Sequence, residues 1–288
     1  MAKHMLGAPV AQAMCDRINR GAAKLKEIGV TPTVAIVRVG AKAPDLAYER
    51  NFTKKAESLN IRVTKTVFNE GVTEAQLLEA LHKINENPEI HGCLLFRPLP
   101  KHLNTQAVLS ALRPEKDIDA MTSASIGGLM METGTYFPPC TSQACLEILD
   151  FYHVPIVGTN AVVVGSSMAV GLPTSIMLIN ADATVTSCHS VSDPERVREL
   201  CRQADIIVSA VGKAGLITKD YVSPGQAIID VGINVGADGK LCGDVDFDAV
   251  EPIVDAITPV PRGVGAVTTT VLASHAVQAA MNASGLVY

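Results

Sequence analysis

The spacing of apolar residues divides the chain into alternating helices and strands. Val10, Met14, Ile18, Ala22 and Leu25 recur at helical intervals, predicting a helix over 8–28 that Gly29 and Pro32 bring to an end. TVAIVRVG (33–40) is a short β-branched run closed by glycine and reads as a buried strand. A helix is expected from Pro44 to Leu59, followed by the strand IRVTKTVF (61–68). Thr73 to Asn85 reads as a helix opened by a capping box, with Thr73 and Gln76 as its two members. GCLLF (92–96) is a further buried strand, broken by Pro98 and Pro100.

Residues 112–141 are rich in Pro, Gly, Ser and Thr with weak periodicity, which predicts loops and a domain junction rather than a core element. A second series begins at 142, with strands AVVVG (161–165), TVTSC (184–188), DIIVSAV (205–211) and AIIDVG (227–232) separated by helical stretches. Apolar strands alternating with helices imply a parallel, doubly wound sheet. VLASHAVQAAMNAS (271–284) is a helix able to pack back across the first domain. The expected fold is therefore α/β in two domains. The first covers 1–137 together with a C-terminal helix over 270–288; the second, Rossmann-like, covers 138–269.

Composition narrows the class. The 288 residues are 48% hydrophobic and 18% charged, a globular balance. A formal net charge of -5 leaves no basic footprint for nucleic acid. No apolar run approaches the roughly 18 residues that a membrane span requires. The N-terminal MAKHMLGAPV lacks the apolar core of an export signal, so a cytoplasmic address is expected. The seven cysteines form no CxxC pair, and no histidine stands at metal-ligand spacing beside them. Buried thiols in a reducing compartment account for them, and no metal site is expected.

Candidate chemistry gathers in the second series. Strand AVVVG runs into SSMAVGLP, where Gly165 ends the strand and Gly171 lies six residues on, near a helix start. This is not a G-x-G-x-x-G fingerprint, yet it offers a tight turn and a helix N-terminus to a phosphate. The second strand ends in Cys188, His189 and Ser190, without the acid that usually holds the ribose of NAD. His189 is open to two readings, a buried tautomer held by backbone or a ligand contact. A third glycine-bearing turn, SAVGKAG (209–215), closes another strand at the same edge, so a dinucleotide site within 142–268 is expected.

At this point the segments resemble a known family, the bifunctional methylenetetrahydrofolate dehydrogenase/cyclohydrolases of the FolD type. The likeness spans nearly the whole chain: FRPLP (96–100), PEKDID (114–119), PCT (139–141), GSSMAVGLP (165–173), ATVTSCHS (183–190), DVGIN (230–234), GDV (243–245) and TPVPRGVGA (258–266) follow the family's order. It implies a tetrahydrofolate cleft between two domains, closed on one side by the nicotinamide of NADP or NAD. Substrate contacts implied are Tyr48, Pro98, Leu99, Asp119, Arg262 and Gly263, with Tyr48 and Asp119 in catalytic positions. Cofactor contacts implied are Thr141, Gly165, Ser166, Ser167, Val170, Gly171, His189, Ser190, Ala210, Val211, Gly212, Ile233 and Thr268. A homodimer paired through the nucleotide domain is implied as well.

The departures from the family matter most. Its lysine four residues after the tyrosine is Phe52 here, and the glutamine that pairs with that lysine is Phe96. Neither ring donates, accepts or carries a proton. Opening a methenyl ring with water needs a positioned proton-transfer group, whereas hydride transfer needs chiefly two oriented rings. The expectation is a dehydrogenase whose cyclohydrolase activity is weak or lost. Lys54 lies about 200° round the helix from Phe52, and Lys55 about 60°. A bifunctional enzyme with Lys55 or Arg262 as substitute base stays open, as does a non-catalytic folate- or nucleotide-binding homologue. Asp119 matches the family aspartate that accepts hydrogen bonds from the pterin, while Lys116 and Asp117 read as structural. Ser166 replaces the arginine implied in holding a 2′-phosphate, so NADP preference weakens unless Arg196 or Arg198 supplies the charge. Ala120, Arg262 and Ala266 replace a glycine, a glycine and a proline of the family pattern.

Overall fold

The computed structural model describes residues 1–133, 136–236 and 239–288. In chain order its first elements are β1 (Lys3–His4), α1 (Gly7–Glu27), β2 (Thr33–Val39), α2 (Ala43–Ser58), β3 (Arg62–Phe68), α3 (Glu74–Glu86), β4 (Gly92–Leu95), α4 (Thr105–Ser110) and α5 (Ser123–Met131). They continue with α6 (Cys140–Phe151), β5 (Asn160–Val164), α7 (Gly171–Asn180), β6 (Thr184–Cys188), α8 (Pro194–Arg202), β7 (Ile206–Ser209), β8 (Ala227–Asp230), β9 (Asn234–Val235), β10 (Leu241–Cys242), α9 (Phe247–Val250), β11 (Ala256–Ile257) and α10 (Thr268–Ala283). These form two compact units, one of residues 1–12 and 139–268, the other of 13–138 and 269–288.

The second of these units is built on a parallel sheet in the order β3-β2-β4. Central β2 is buried along its whole length, as its mostly β-branched run predicts, whereas edge strand β3 is half exposed. The Thr73–Gln76 capping box forms as its residues predict, with both reciprocal bonds present at the start of α3. On one face Ala35, Val37 and Val39 pack with Leu77, Leu81, Leu95 and Val108.

Residues 112–141 depart from the expectation of loops alone; positions 134 and 135 of that stretch lie outside the described residues. A helix, α5, occupies 123–131, and Ile118 and Met121 join the buried set. The composition misled because this stretch is ordered by side-chain capping. Buried Asp117 accepts the N–H groups of Met121 (2.9 Å) and Thr122 (2.7 Å) and the hydroxyl of Ser125 (2.6 Å). Lys116 donates to the carbonyls of Ile84, Asn85 and Asn87, at 2.6, 3.0 and 2.7 Å, where α3 ends. Both are structural, as their sequence context suggests.

The other unit holds a six-stranded parallel sheet in the order β1-β11-β8-β7-β5-β6. Its core joins Val162 and Val164 to Ile207, Ile228 and Ile257. The first residues of the chain belong here, because Lys3 and His4 pair with Ala256 and Ile257. A two-residue strand has no periodicity to read, so this pairing of residues 3 and 4 is not legible in the sequence.

Asp117→Ala strands two buried N–H groups and a hydroxyl. It is expected to lower the unfolding free energy by about 3 kcal/mol or more, as measured by urea denaturation at pH 7.

Candidate functional site

The sheet order of the nucleotide unit fixes where a ligand can enter. From β5 the chain passes through α7 to β6 on one side, then through α8 to β7 on the other side of β5. The reversal opens a crevice at the carboxyl ends of β5 and β7. Gly165 follows β5 with φ +112°, and a Cβ there would collide with the carbonyl of Ala210, the residue after β7. Gly171, first residue of α7, could carry no side chain either, because a Cβ would strike the carbonyl of Gly165. Both glycines are therefore dictated by backbone packed on backbone, the cradle that close approach to a phosphate requires.

Around this cradle lie most of the residues that sequence assigned to the cofactor. Ser166, Ser167, Gly212 and Ile233 are exposed, and Val170, Ala210 and Thr141 half-buried. The Ser167 hydroxyl accepts the N–H of Val170 at 3.3 Å, which closes the loop before α7. Pro173 has no N–H, and that of Leu172 goes to the Ser167 carbonyl. At the end of β6, His189 and Ser190 are exposed, which corrects the reading of His189 as a buried tautomer. Its backbone N–H goes to the Ser192 hydroxyl at 3.1 Å, and Nδ1 lies 3.2 Å from the same oxygen. Arg196 and Arg198 are engaged with Glu199 and Glu195 on their own helix, so neither is an unpaired replacement cation. Thr268 opens α10, its hydroxyl 3.5 Å from the Gly265 carbonyl.

Sequence reading left out the two most deeply held groups here, Asp230 and Asp244. Asp230 accepts the N–H groups of Gly232, Asp244 and Val245 at 2.9, 3.0 and 2.9 Å. Burial, with Asp244 beside it, pushes its carboxyl up to about 6 despite those bonds. Asp244 in turn receives three successive N–H groups from the turn after β7. The signal was present in DVGIN and GDV, each pairing an aspartate with a glycine, but it names no chemistry without the fold.

In the other unit Tyr48 lies on α2, and its ring meets Phe96 edge to face, 6.0 Å apart at 80°. Phe96 directly follows β4 and donates its N–H to the Val37 carbonyl. Phe52 is fully enclosed, one helical turn beyond Tyr48. Beside them Glu49 is buried, with Arg38 Nε and Lys65 Nζ each at 2.9 Å. Burial raises the Glu49 carboxyl, but the hydrogen bonds from Arg38 and Lys65 outweigh it and hold it below its ordinary range. Lys55, considered as a substitute base, is half-buried with its Nζ 3.7 Å from Cys15 Sγ on α1. Leu99 is buried and Pro98 exposed, its carbonyl accepting Lys42 Nζ at 3.3 Å. Asp119 is half-buried. The preceding Ile118 carbonyl accepts Nδ1–H of buried His275 at 2.8 Å, tying α10 to this segment. Burial drops the His275 imidazole to about 4, so it is neutral.

Arg262 and Gly263 belong to the nucleotide unit rather than to that of Tyr48. Arg262 is exposed at φ +86°, and the Gly7 N–H donates to its carbonyl at 2.8 Å. Ala120 is likewise left-handed, at φ +48°. Both stand where the family pattern has glycine, and the backbone shows why glycine suits them. The seven cysteines are free thiols, six of them buried.

A doubly wound unit with a glycine cradle at its switch point, in a chain that also carries a second α/β unit, defines a nucleotide-dependent dehydrogenase class of fold. Two family models divide the chain accordingly. "Tetrahydrofolate dehydrogenase/cyclohydrolase, catalytic domain" matches residues 5–119, and "Tetrahydrofolate dehydrogenase/cyclohydrolase, NAD(P)-binding domain" matches 139–284. Bifunctional protein FolD of Carboxydothermus hydrogenoformans is 46% identical over 289 residues, covering 100% of both chains. Among solved structures, the FolD dehydrogenase/cyclohydrolase of Campylobacter jejuni superposes with TM-score 0.94 at 32% identity, over 98% of this chain and 99% of that one. A 5,10-methylenetetrahydrofolate dehydrogenase of the silkworm Bombyx mori superposes at 0.92 and 35% identity, over 99% and 100%. The chain belongs to the tetrahydrofolate dehydrogenase/cyclohydrolase family, the FolD type, and carries its NAD(P)-binding domain.

Two outcomes are expected. Arg262→Gly should raise the unfolding free energy by about 0.5–1 kcal/mol, the relief of a left-handed non-glycine residue less the added freedom of the unfolded chain. Asp230, raised in the folded state, contributes stability that is complete at low pH and lost as pH climbs through about 6. Compared with Asp230→Asn, the wild type should therefore gain up to about 3 kcal/mol between pH 7 and pH 4 in denaturant titrations.

Proposed function

We propose that this chain oxidises 5,10-methylenetetrahydrofolate to the methenyl form by hydride transfer to NAD or NADP, with cyclohydrolase activity weak or absent. One observation carries the proposal: Phe52 is sealed in the core and Phe96 lies against Tyr48, at the two places where the family resemblance implies a proton-transferring lysine and its glutamine partner. Hydrolysis of the methenyl ring needs a group that moves a proton, and neither ring can do so. Hydride transfer does not require one: a nicotinamide would supply the hydride acceptor, and the protein need only hold two rings in register. Tyr48 and Asp119 serve the folate in this reading, with Pro98, Leu99, Arg262 and Gly263 as further substrate contacts. The Gly165–Gly171 turn takes the cofactor phosphates. Ser166 offers a hydroxyl in place of a guanidinium, which favours a dehydrogenase less committed to NADP than its family. A second copy of this chain is the expected partner, consistent with the exposed Val235 and Leu241 on the β9–β10 hairpin.

The test follows both products. Purified protein is incubated with 5,10-methylenetetrahydrofolate and either NAD or NADP, and reduced nicotinamide and methenyl product are recorded separately. Reduced cofactor with equimolar, persisting methenyl is the expected result. Methenyl that disappears faster than its spontaneous hydrolysis would overturn the loss of cyclohydrolase. No reduced cofactor with either nucleotide would overturn the dehydrogenase. Phe52→Lys combined with Phe96→Gln should raise methenyl hydrolysis by at least about tenfold, within the range general acid–base groups supply, at a cost in stability from the newly buried ammonium.

A further inference from the structure

The turn that follows β7 is held from inside by one carboxylate. Asp244 is fully buried, and its Oδ2 accepts the N–H groups of Val211 at 2.7 Å and Gly212 at 3.0 Å. Its Oδ1 accepts the N–H of Lys213 at 2.8 Å and Nδ2 of Asn234 at 2.9 Å. The buried Ser209 hydroxyl adds a longer bond of 3.3 Å to Oδ2. Asp230 orients this carboxylate by accepting the backbone N–H groups of Asp244 and Val245. Space around the pair is spent entirely on it. A Cβ on Gly232 would collide with the Asp244 carboxylate, and one on Gly243 with that of Asp230. The glycines of DVGIN and GDV are thus explained by the two aspartates they flank.

This arrangement decides what the turn can offer a ligand. Three consecutive N–H groups point inward at Asp244, so none is available to a phosphate. The outward side carries the Val211 side chain, exposed at 39%, and the backbone of Gly212 at φ +72°. A turn with its donors consumed offers a ligand carbonyl acceptors and apolar contact. Such a surface suits the hydroxyl- or amide-bearing parts of a dinucleotide, leaving the phosphates to the Gly165–Gly171 cradle.

We propose that Asp244 is a positioning residue for the nicotinamide cofactor, fixing the 210–213 turn as an acceptor surface for the uncharged part of the dinucleotide, with Asp230 holding Asp244 in place. The proposal rests on the cofactor reading above. Asp244 itself touches no substrate; it acts through the backbone it organises.

The experiment compares wild type, Asp244→Asn and Ser209→Ala, each checked for folding by circular dichroism and thermal unfolding. NADH and NADPH affinities are read from the fluorescence of the bound reduced cofactor, and KM is measured separately for cofactor and folate. Asp244→Asn replaces an acceptor oxygen with a donor facing the turn. It should weaken cofactor binding and raise cofactor KM by at least about tenfold, roughly the loss of one good hydrogen bond to a charged group, while folate KM stays within about twofold. Ser209→Ala, sealed away from any ligand, should shift cofactor affinity in the same direction by about threefold. If Asp244→Asn does not fold, the Ser209→Ala result decides. Unchanged cofactor affinity in a folded variant, or equal rises in both KM values, would overturn the positioning role. A wild type that binds neither NADH nor NADPH would instead overturn the cofactor reading, and this proposal with it.

Discussion

The nucleotide unit depends on how closely two strand ends approach. β5 and β7 are neighbours in a parallel sheet, and because the chain leaves β5 for β6 on one side and returns to β7 on the other, their outgoing turns meet at the switch point. Backbone packs directly on backbone where Gly165 meets Ala210 and Gly171 meets Gly165. A side chain at either glycine would push the turns apart and disturb the crevice at the switch point. The second turn then needs its own restraint, since turns at sheet ends carry unpaired N–H groups. Here the restraint is a carboxylate from beyond β10, balanced by amide dipoles and an asparagine.

The folate unit is organised differently. On the buried side of α2, Glu49, Phe52 and Ala56 face inward together, so a charged group and an aromatic ring share one stripe. Glu49 is tolerable there because two cations satisfy it. Phe52 needs no partner and none is supplied. On this buried stripe the one charged group is directed at Arg38 and Lys65, and the ring beside it is apolar.

Much of this was legible in the residues. Strand–helix alternation with β-branched runs fixed the α/β class, since a strand buried on both faces has no other composition. The Thr73–Gln76 box announced the start of α3 because capping is local chemistry. Ordered family segments identified the lineage, and single substitutions inside them, at 52, 96, 166 and 262, located the departures. The identity of the residue at each position is enough for such conclusions, because a phenylalanine cannot carry a proton in any fold.

Tertiary structure decided what depends on partners distant in sequence. Residues 1–12 join the nucleotide unit through a strand too short to carry a pattern. His189 is exposed rather than buried, because it follows β6, the strand at the edge of the sheet. The 112–141 stretch contains a helix because Asp117 binds backbone four and five residues ahead, an order that composition cannot register. Asp244 lies some thirty residues after the turn it holds, and only the sheet brings them together. Sequence specifies which groups exist and which local bonds they favour. Which buried carboxylate meets which N–H is settled by packing, where distance along the chain no longer measures distance in space.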